Sequence, residues 1–223
     1  MKKKLVITGY TSAIVEKLLS ILKADGRELE IIRCGRDDTA DIKVDFSSVA
    51  QTRVFCDQLF ELNPDYFFIN HGLLVGKKVN ECREDEIAGM LNVNLISVLM
   101  IMEVLTKIED LRTVTMSSIS GKAGSYDTLY AATKAGVDVV LKCTVPSLPS
   151  SSRLNAISPG IIEDARMTLV RKDLDVLEGK KNATPSKEFT TSSEVASLVS
   201  FLMFDSANIN GENVNINGGL YVK

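Results

Sequence analysis

The sequence predicts a doubly wound α/β fold: a parallel sheet of about seven strands with helices on both faces. Three observations carry this. Short apolar runs alternate with segments of helical periodicity from one end of the chain to the other, the order that gives parallel strands joined by right-handed crossovers. The apolar runs are continuous, as expected of strands covered on both faces. The 223 residues are 45% hydrophobic and 25% charged, with a mean hydropathy of +0.09. That composition supports a sizeable core and excludes disorder as the dominant state. No repeat, low-complexity tract or linker divides the chain, so residues 1–223 are expected to form one domain.

The elements follow in order. Residues 5–8 read as a buried strand. Ile14, Leu18 and Ile21/Leu22 then recur at helical spacing, with Gly26 placed to stop that helix. Residues 29–34 and 42–46 are the second and third strands. A helix over 49–62 has Ser47 or Ser48 as its cap and Pro64 beyond its end. Residues 65–70 form the fourth strand, and a long helix spans roughly 85–108. The fifth strand is 114–117. A helix over 128–145 ends at Pro146, and the strand 154–158 runs into Pro159-Gly160. Residues 163–191 are polar and charged without strong periodicity. Within them Met167, Leu169, Val170, Leu174 and Leu177 suggest a small lid helix, or packing on the core. Ser193 is expected to cap a last helix, 195–204, before a final strand, 213–217.

Composition also limits partners. A net charge of −3 and the lack of a basic stripe argue against nucleic acid. Cys34, Cys56, Cys82 and Cys143 lie far apart, and there is one histidine, so no metal site is expected. Reduced thiols point to a cytoplasmic protein. The apolar run after the basic start, Leu5-Val6-Ile7, is too short for a signal-peptide core. The longest apolar run, 95–102, is broken by Ser97 and followed by Glu103, and is too short to span a bilayer, so no membrane partner is expected.

In such sheets ligands bind at the carboxyl ends of the strands, and the motifs fall there. The first strand runs into Thr8-Gly9-Tyr10-Thr11-Ser12-Ala13-Ile14-Val15. A strand, a glycine turn and a helix start make an anion site, here suited to a dinucleotide pyrophosphate. Only Gly9 is a glycine, so the same residues also fit an ordinary turn. The second strand ends in Cys34-Gly35-Arg36, with no carboxylate at the ribose position and a guanidinium just after it. Arg36 forking onto a 2′-phosphate favours NADP over NAD, a contact contributing on the order of 1.5–3 kcal/mol. Tyr130 and Lys134 stand at i and i+4 on one helix face. An ammonium beside a phenol lowers the phenol pKa from about 10, toward use as a general acid/base. Ser118 ends the preceding strand, placed to hydrogen-bond a substrate oxygen.

With these residues the chain resembles the short-chain dehydrogenase/reductase family, of the compact single-domain type built on a Rossmann-like sheet. The likeness covers nearly the whole chain. It runs through the turn 8–15, Asp45-Phe46, Ile69-Asn70-His71-Gly72, Val93-Asn94-Leu95, Ser117-Ser118, Tyr130 with Lys134, residues 153–160, and Gly211 with Gly218-Gly219. The resemblance implies hydride transfer with NADP(H) preferred over NAD(H), in the direction of carbonyl reduction. Tyr130 would exchange a proton with the substrate oxygen, and Lys134 would lower its pKa and bind the nicotinamide ribose. Ser118 would polarise the carbonyl, and Asn94 would hold a relay water. The cofactor would be held by Gly9, Thr11, Ser12, Ala13, Ile14, Arg36, Asp45, Phe46, Asn70, His71, Gly72, Tyr130, Lys134, Pro159, Gly160 and Ile162.

The chain departs from the family pattern at Ala13 and Val15, where glycines are usual. Val15 is expected to push the helix away or fill a local gap. Tyr10 is bulky for its place and is expected to lie over solvent or pack on the adenosine. His71 is expected to contribute mainly backbone. Asp164 falls near the usual carboxamide-holding Thr, and Asn217 stands where Asp is common. The substrate loop, about 160–191, carries Arg166, Arg171, Lys172, Lys180, Lys181 and Lys187, which favours a small polar or anionic carbonyl or alcohol substrate. An epimerase or dehydratase on the same scaffold is an alternative, as is a non-catalytic dinucleotide sensor. By resemblance the protein is a homodimer or homotetramer, paired through the helices near 85–108 and 128–145.

Overall fold

The computed structural model describes residues 2–222. Strands β1 (Lys3–Thr8), β2 (Leu29–Gly35), β3 (Ile42–Lys43), β4 (Tyr66–Ile69), β5 (Arg112–Met116), β6 (Arg153–Pro159) and β7 (Asn213–Ile216) form one sheet in the order 3-2-1-4-5-6-7. Every pairing is parallel. The chain winds outward from β1 to β3 and then crosses back to β4. The order therefore reverses between β1 and β4, opening a crevice at their carboxyl ends.

Side chains alternate across the sheet, and two cores result. Val6, Ile32 and Phe67 point to one face, where they pack with helices α2 (Val49–Leu62), α4 (Ser97–Leu105) and α6 (Thr128–Thr144). Leu5, Ile7 and Phe68 point to the other, against α1 (Ala13–Ala24) and α9 (Ser192–Ser200).

Several boundaries differ from the sequence reading, each for a local reason. The third strand stops at Lys43 rather than residue 46, because the Asp45 carboxylate takes the Ser47 N–H and hydroxyl at 2.9 and 2.8 Å and turns the chain into α2. Ser48 is the cap of α2. The long helix is three pieces: α3 (Glu84–Leu91), a π turn at Asn92–Ile96, and α4. It ends at Leu105, where the Thr106 hydroxyl donates to the Glu103 carbonyl. By length and composition the whole run Glu84–Leu105 is apolar enough to cross a membrane, which the 95–102 run alone did not suggest. In the fold its Val98, Ile101, Met102 and Leu105 are buried in the first core. The charged segment after β6 holds two helices, α7 (Arg166–Leu169) and α8 (Leu174–Ala183), not one. Leu177 alone of its apolar set is buried. Thr191, not Ser193, caps α9, in a capping box with Glu194. α5 (Ser120–Ala123) is a single turn after β5.

Candidate active site

The first turn rests on the end of β4. Gly9 has φ +60°, and a Cβ there would lie 2.9 Å from the Asn70 carbonyl carbon and the His71 nitrogen. No other residue fits that contact. Asn70 locks it, donating through Nδ2 to the Gly9 carbonyl and the Ser12 hydroxyl, both at 2.9 Å. Ser12 accepts the Val15 N–H and caps α1, so the helix start faces the crevice. Thr11 is exposed, and Ala13 lies partly covered at the first helical position. Ile14 and Val15 turn inward. Val15 is fully buried in the second core, so its bulk fills the space under the turn.

His71 is more than backbone. Its Nδ1 lies 2.8 Å from the Thr8 hydroxyl and its Nε2 lies 2.9 Å from that of Ser97. Ser97 donates its proton to the Val93 carbonyl, which leaves its oxygen to accept from Nε2, while the Thr8 hydroxyl faces both Nδ1 at 2.8 Å and the Phe68 carbonyl at 3.4 Å. Burial, aided by the Lys134 charge, pushes the His71 pKa down to about 3. The ring stays neutral and bridges β1 to the first residue of α4. Phe46 stacks on it, centroids 3.9 Å apart. The Phe46 side chain is thus part of the core, and Asp45 holds its turn through one oxygen, Oδ1, which takes the Ser47 N–H and hydroxyl.

At the end of β2, Arg36 is exposed. Tyr10 lies across Gly35 and hydrogen-bonds Asp37 and Thr39.

The catalytic half is built on α6 and β5. Asp127 is fully buried, caps α6 by accepting the Tyr130 N–H at 2.9 Å, and accepts the Gly76 N–H with its other oxygen at 2.9 Å. This residue was missed in the sequence reading, although an Asp at a helix start, three before the tyrosine, is a capping signal. Gly121 was missed too. A Cβ there would strike the Lys134 carbonyl carbon at 2.7 Å, so α5 packs directly on the backbone of α6 at the lysine.

Lys134 is buried and donates to the Met116 carbonyl at 2.8 Å, with Nζ 5.8 Å from the centre of the Tyr130 ring. Burial lowers its pKa to about 8, and nearby Asp138 opposes that fall. Tyr130 corrects the sequence expectation. Burial raises its pKa to about 12, against a hydrogen bond from Ser118 that lowers it. The ammonium is turned to the Met116 carbonyl rather than the phenol, so within the chain desolvation outweighs it. The π turn carries Asn94, whose amide pairs with both backbone groups of Leu73 at 2.7 Å and reaches Thr133 at 3.3 Å. That side chain thus fixes the loop after β4 against α6.

Beneath these groups runs a polar network. The Ser117 hydroxyl donates to Asp138, Asn213 donates to the same oxygen at 2.6 Å, and Ser158 donates to Asn213 at 2.8 Å. It ties α6 to the ends of β5, β6 and β7. Ile119 donates to the Pro159 carbonyl at 3.1 Å, placing Ser118 beside Pro159-Gly160. Ile162 bridges to Thr190. Asp164 accepts the Ser192 N–H at 2.8 Å and so serves the start of α9. Asn217 accepts the Gly219 N–H at 3.0 Å, holding the closing loop as expected.

A family model described as enoyl-(acyl carrier protein) reductase matches residues 15–221, leaving outside it the part of the turn that holds Gly9 and Ala13. The 3-oxoacyl-[acyl-carrier-protein] reductase FabG of Salmonella typhimurium is 30% identical over 165 residues, 71% of this chain and 67% of the relative. An acetoacetyl-CoA reductase of Acinetobacter is 30% identical over 114 residues, half of this chain and 45% of its own. Among solved structures, a short-chain dehydrogenase/reductase (glucose/ribitol dehydrogenase) from Brucella melitensis superposes with a TM-score of 0.86 at 24% identity, covering 99% of this chain and 97% of that one. ElxO with NADP bound superposes at 0.81 and 23% identity, covering 99% of each. The chain belongs to the short-chain dehydrogenase/reductase family, oxidoreductases that interconvert carbonyl and alcohol with a nicotinamide dinucleotide.

Proposed function

We propose that the protein reduces a small polar ketone with NADPH, in the cytoplasm and as a homo-oligomer. The observation that carries this is the placing of Ser118, Tyr130 and Lys134 together at the carboxyl edge, beside the crevice between β1 and β4. The residues present fit a dinucleotide. Gly9 and the capped start of α1 offer N–H groups to a pyrophosphate, as helix starts do. Gly72 lies close to Asn94 and Lys134, since a Cβ there would be 3.7 Å from Asn94 Oδ1 and 3.9 Å from Lys134 Nζ. Arg36 makes no hydrogen bond or ion pair among the described residues and stands ready for a 2′-phosphate.

The nicotinamide supplies the hydride when bound. Tyr130, protonated across the neutral range, gives its proton to the carbonyl oxygen as that oxygen gains charge. Ser118 donates to the same oxygen and aligns it. Lys134, cationic below about pH 8, steadies the tyrosinate that remains. Exposed Val54, Leu99 and Val139 on α2, α4 and α6 support association through those helices.

The names of the relatives make 3-oxoacyl thioesters the first substrates to try. NADPH consumption is followed with acetoacetyl-CoA and a panel of small polar ketones, with Tyr130→Phe as control. Turnover that the control abolishes supports the reading. No turnover of any substrate with NADPH still bound favours the sensor alternative, and failure of both cofactors to bind overturns the dinucleotide reading itself.

A further inference from the structure

The segment from residue 33 to 43 is crowded with charge, and almost all of it is paired. Arg33 forks onto Asp41 at 2.9 and 3.1 Å. Lys43 holds Asp38 at 2.5 Å. Asp37 takes three donors at one oxygen: the Tyr10 hydroxyl, the Thr39 hydroxyl at 2.5 Å and the Thr39 N–H at 3.0 Å. Arg36 alone has no such partner among the described residues.

Tyr10 makes this arrangement from a distance. It leaves the first turn, lays its ring over Gly35 so closely that a Cβ there would meet Cε1 at 3.1 Å, and brings its hydroxyl to Asp37. The Arg33 guanidinium lies 5.8 Å from the ring centre. Asp37 is the neighbour of Arg36, and its other oxygen is 4.0 Å from the Gly35 Cβ position. A carboxylate free at that place would accept a ribose hydroxyl and repel a phosphate dianion.

We propose that Tyr10 determines cofactor choice: by holding Asp37 it withdraws the carboxylate beside Arg36 and leaves that end of the crevice selective for a 2′-phosphate. This rests on the NADPH reading above. Thr39 and Tyr10 together hold the Asp37 carboxyl down at about 2, so the residue is an anion at every working pH, and what Tyr10 adds to the two Thr39 donors is a hold on its orientation, not on its protonation.

The test is titration with NADPH and NADH of wild type, Tyr10→Phe, Asp37→Asn and the double variant, by nicotinamide fluorescence. Tyr10→Phe keeps the ring and removes only an exposed hydroxyl. It is expected to weaken NADPH about threefold to tenfold, the range for an exposed charge and one hydrogen bond, and to leave NADH unchanged or tighter. With Asp37→Asn in the background the same substitution should change NADPH binding less than about twofold, because the charge it would release is gone. Equal weakening of both cofactors, undiminished in the Asp37→Asn background, would mean that Tyr10 acts by packing and overturns the proposal, as would an unchanged Tyr10→Phe. Wild type that prefers NADH, or binds neither, overturns the cofactor reading and this inference together.

Discussion

The two halves of the crevice hold their polar groups in opposite ways. On the catalytic side Asp127, Lys134, Ser117 and Ser118 are buried, and each has a partner from another segment: the Gly76 N–H, the Met116 carbonyl, Asp138 and Tyr130. On the adenosine side Arg33, Arg36, Asp37 and Asp38 are exposed or nearly so, and their pairings are local, apart from Tyr10. Burial makes each lost partner expensive, because the group left behind cannot turn to water. Exposure makes each charge cheap to change. The first half therefore fixes the chemistry, and the second can be retuned.

The sharpest way to break this contrast is Tyr130→Phe. Removing one hydroxyl should cut turnover about a thousandfold, within the usual range for a lost general acid, while NADPH titration stays within about twofold of wild type. Retained turnover would remove Tyr130 from the reaction and shift attention to Ser118.

Next in size is Asp127→Ala. It strips the cap from α6 and leaves the Gly76 N–H without its partner. Urea unfolding should show a loss of about 2–3 kcal/mol, as for a buried cap whose acceptor is charged. A loss under about 0.5 kcal/mol would show that the burial is not carrying the geometry.

A smaller effect is expected at Asp138. The charges facing Lys134 are Tyr130 when ionised, Asp138 one turn further along α6, and His71, which stays neutral. The rate should fall as pH rises through about 8 and Lys134 loses its proton. Asp138 favours the protonated lysine, so Asp138→Asn should move that alkaline limb to lower pH, by roughly half a unit. A purely structural role would lower stability and leave the limb in place.

What the sequence disclosed divides along the same line. The parallel alternation of strands and helices, and the nearness of Tyr130 to Lys134, were legible because period, glycine turn and i, i+4 spacing are local signals. The missed features are those in which distant segments meet. His71 looked like a backbone contributor, yet Thr8 and Ser97 converge on its ring from β1 and the long helix. The phenol pKa came out in the wrong direction because i, i+4 spacing shows that the ammonium is near but not that the Met116 carbonyl holds it. Gly121 is an unremarkable glycine until α5 is seen against the backbone of Lys134. The charged loop was read as one small helix where there are two, because their exposed apolar residues follow no single face.

The smallest effect belongs to the residue that most clearly departs from the family's turn. Ala13 looks like a defect if the turn is thought to need glycine for its conformation. In the fold Ala13 begins α1 and is not among the residues with positive φ, so its backbone is one that any L-residue adopts. The strained position is Gly9, which is kept, and the bulk added at Val15 is absorbed by the core. Ala13→Gly should therefore tighten NADPH by less than about threefold, and should lower stability by less than about 1 kcal/mol through the greater backbone entropy of glycine. A tenfold gain in affinity would instead show that one methyl group obstructs the pyrophosphate, and that the adenosine side is limited by shape before charge.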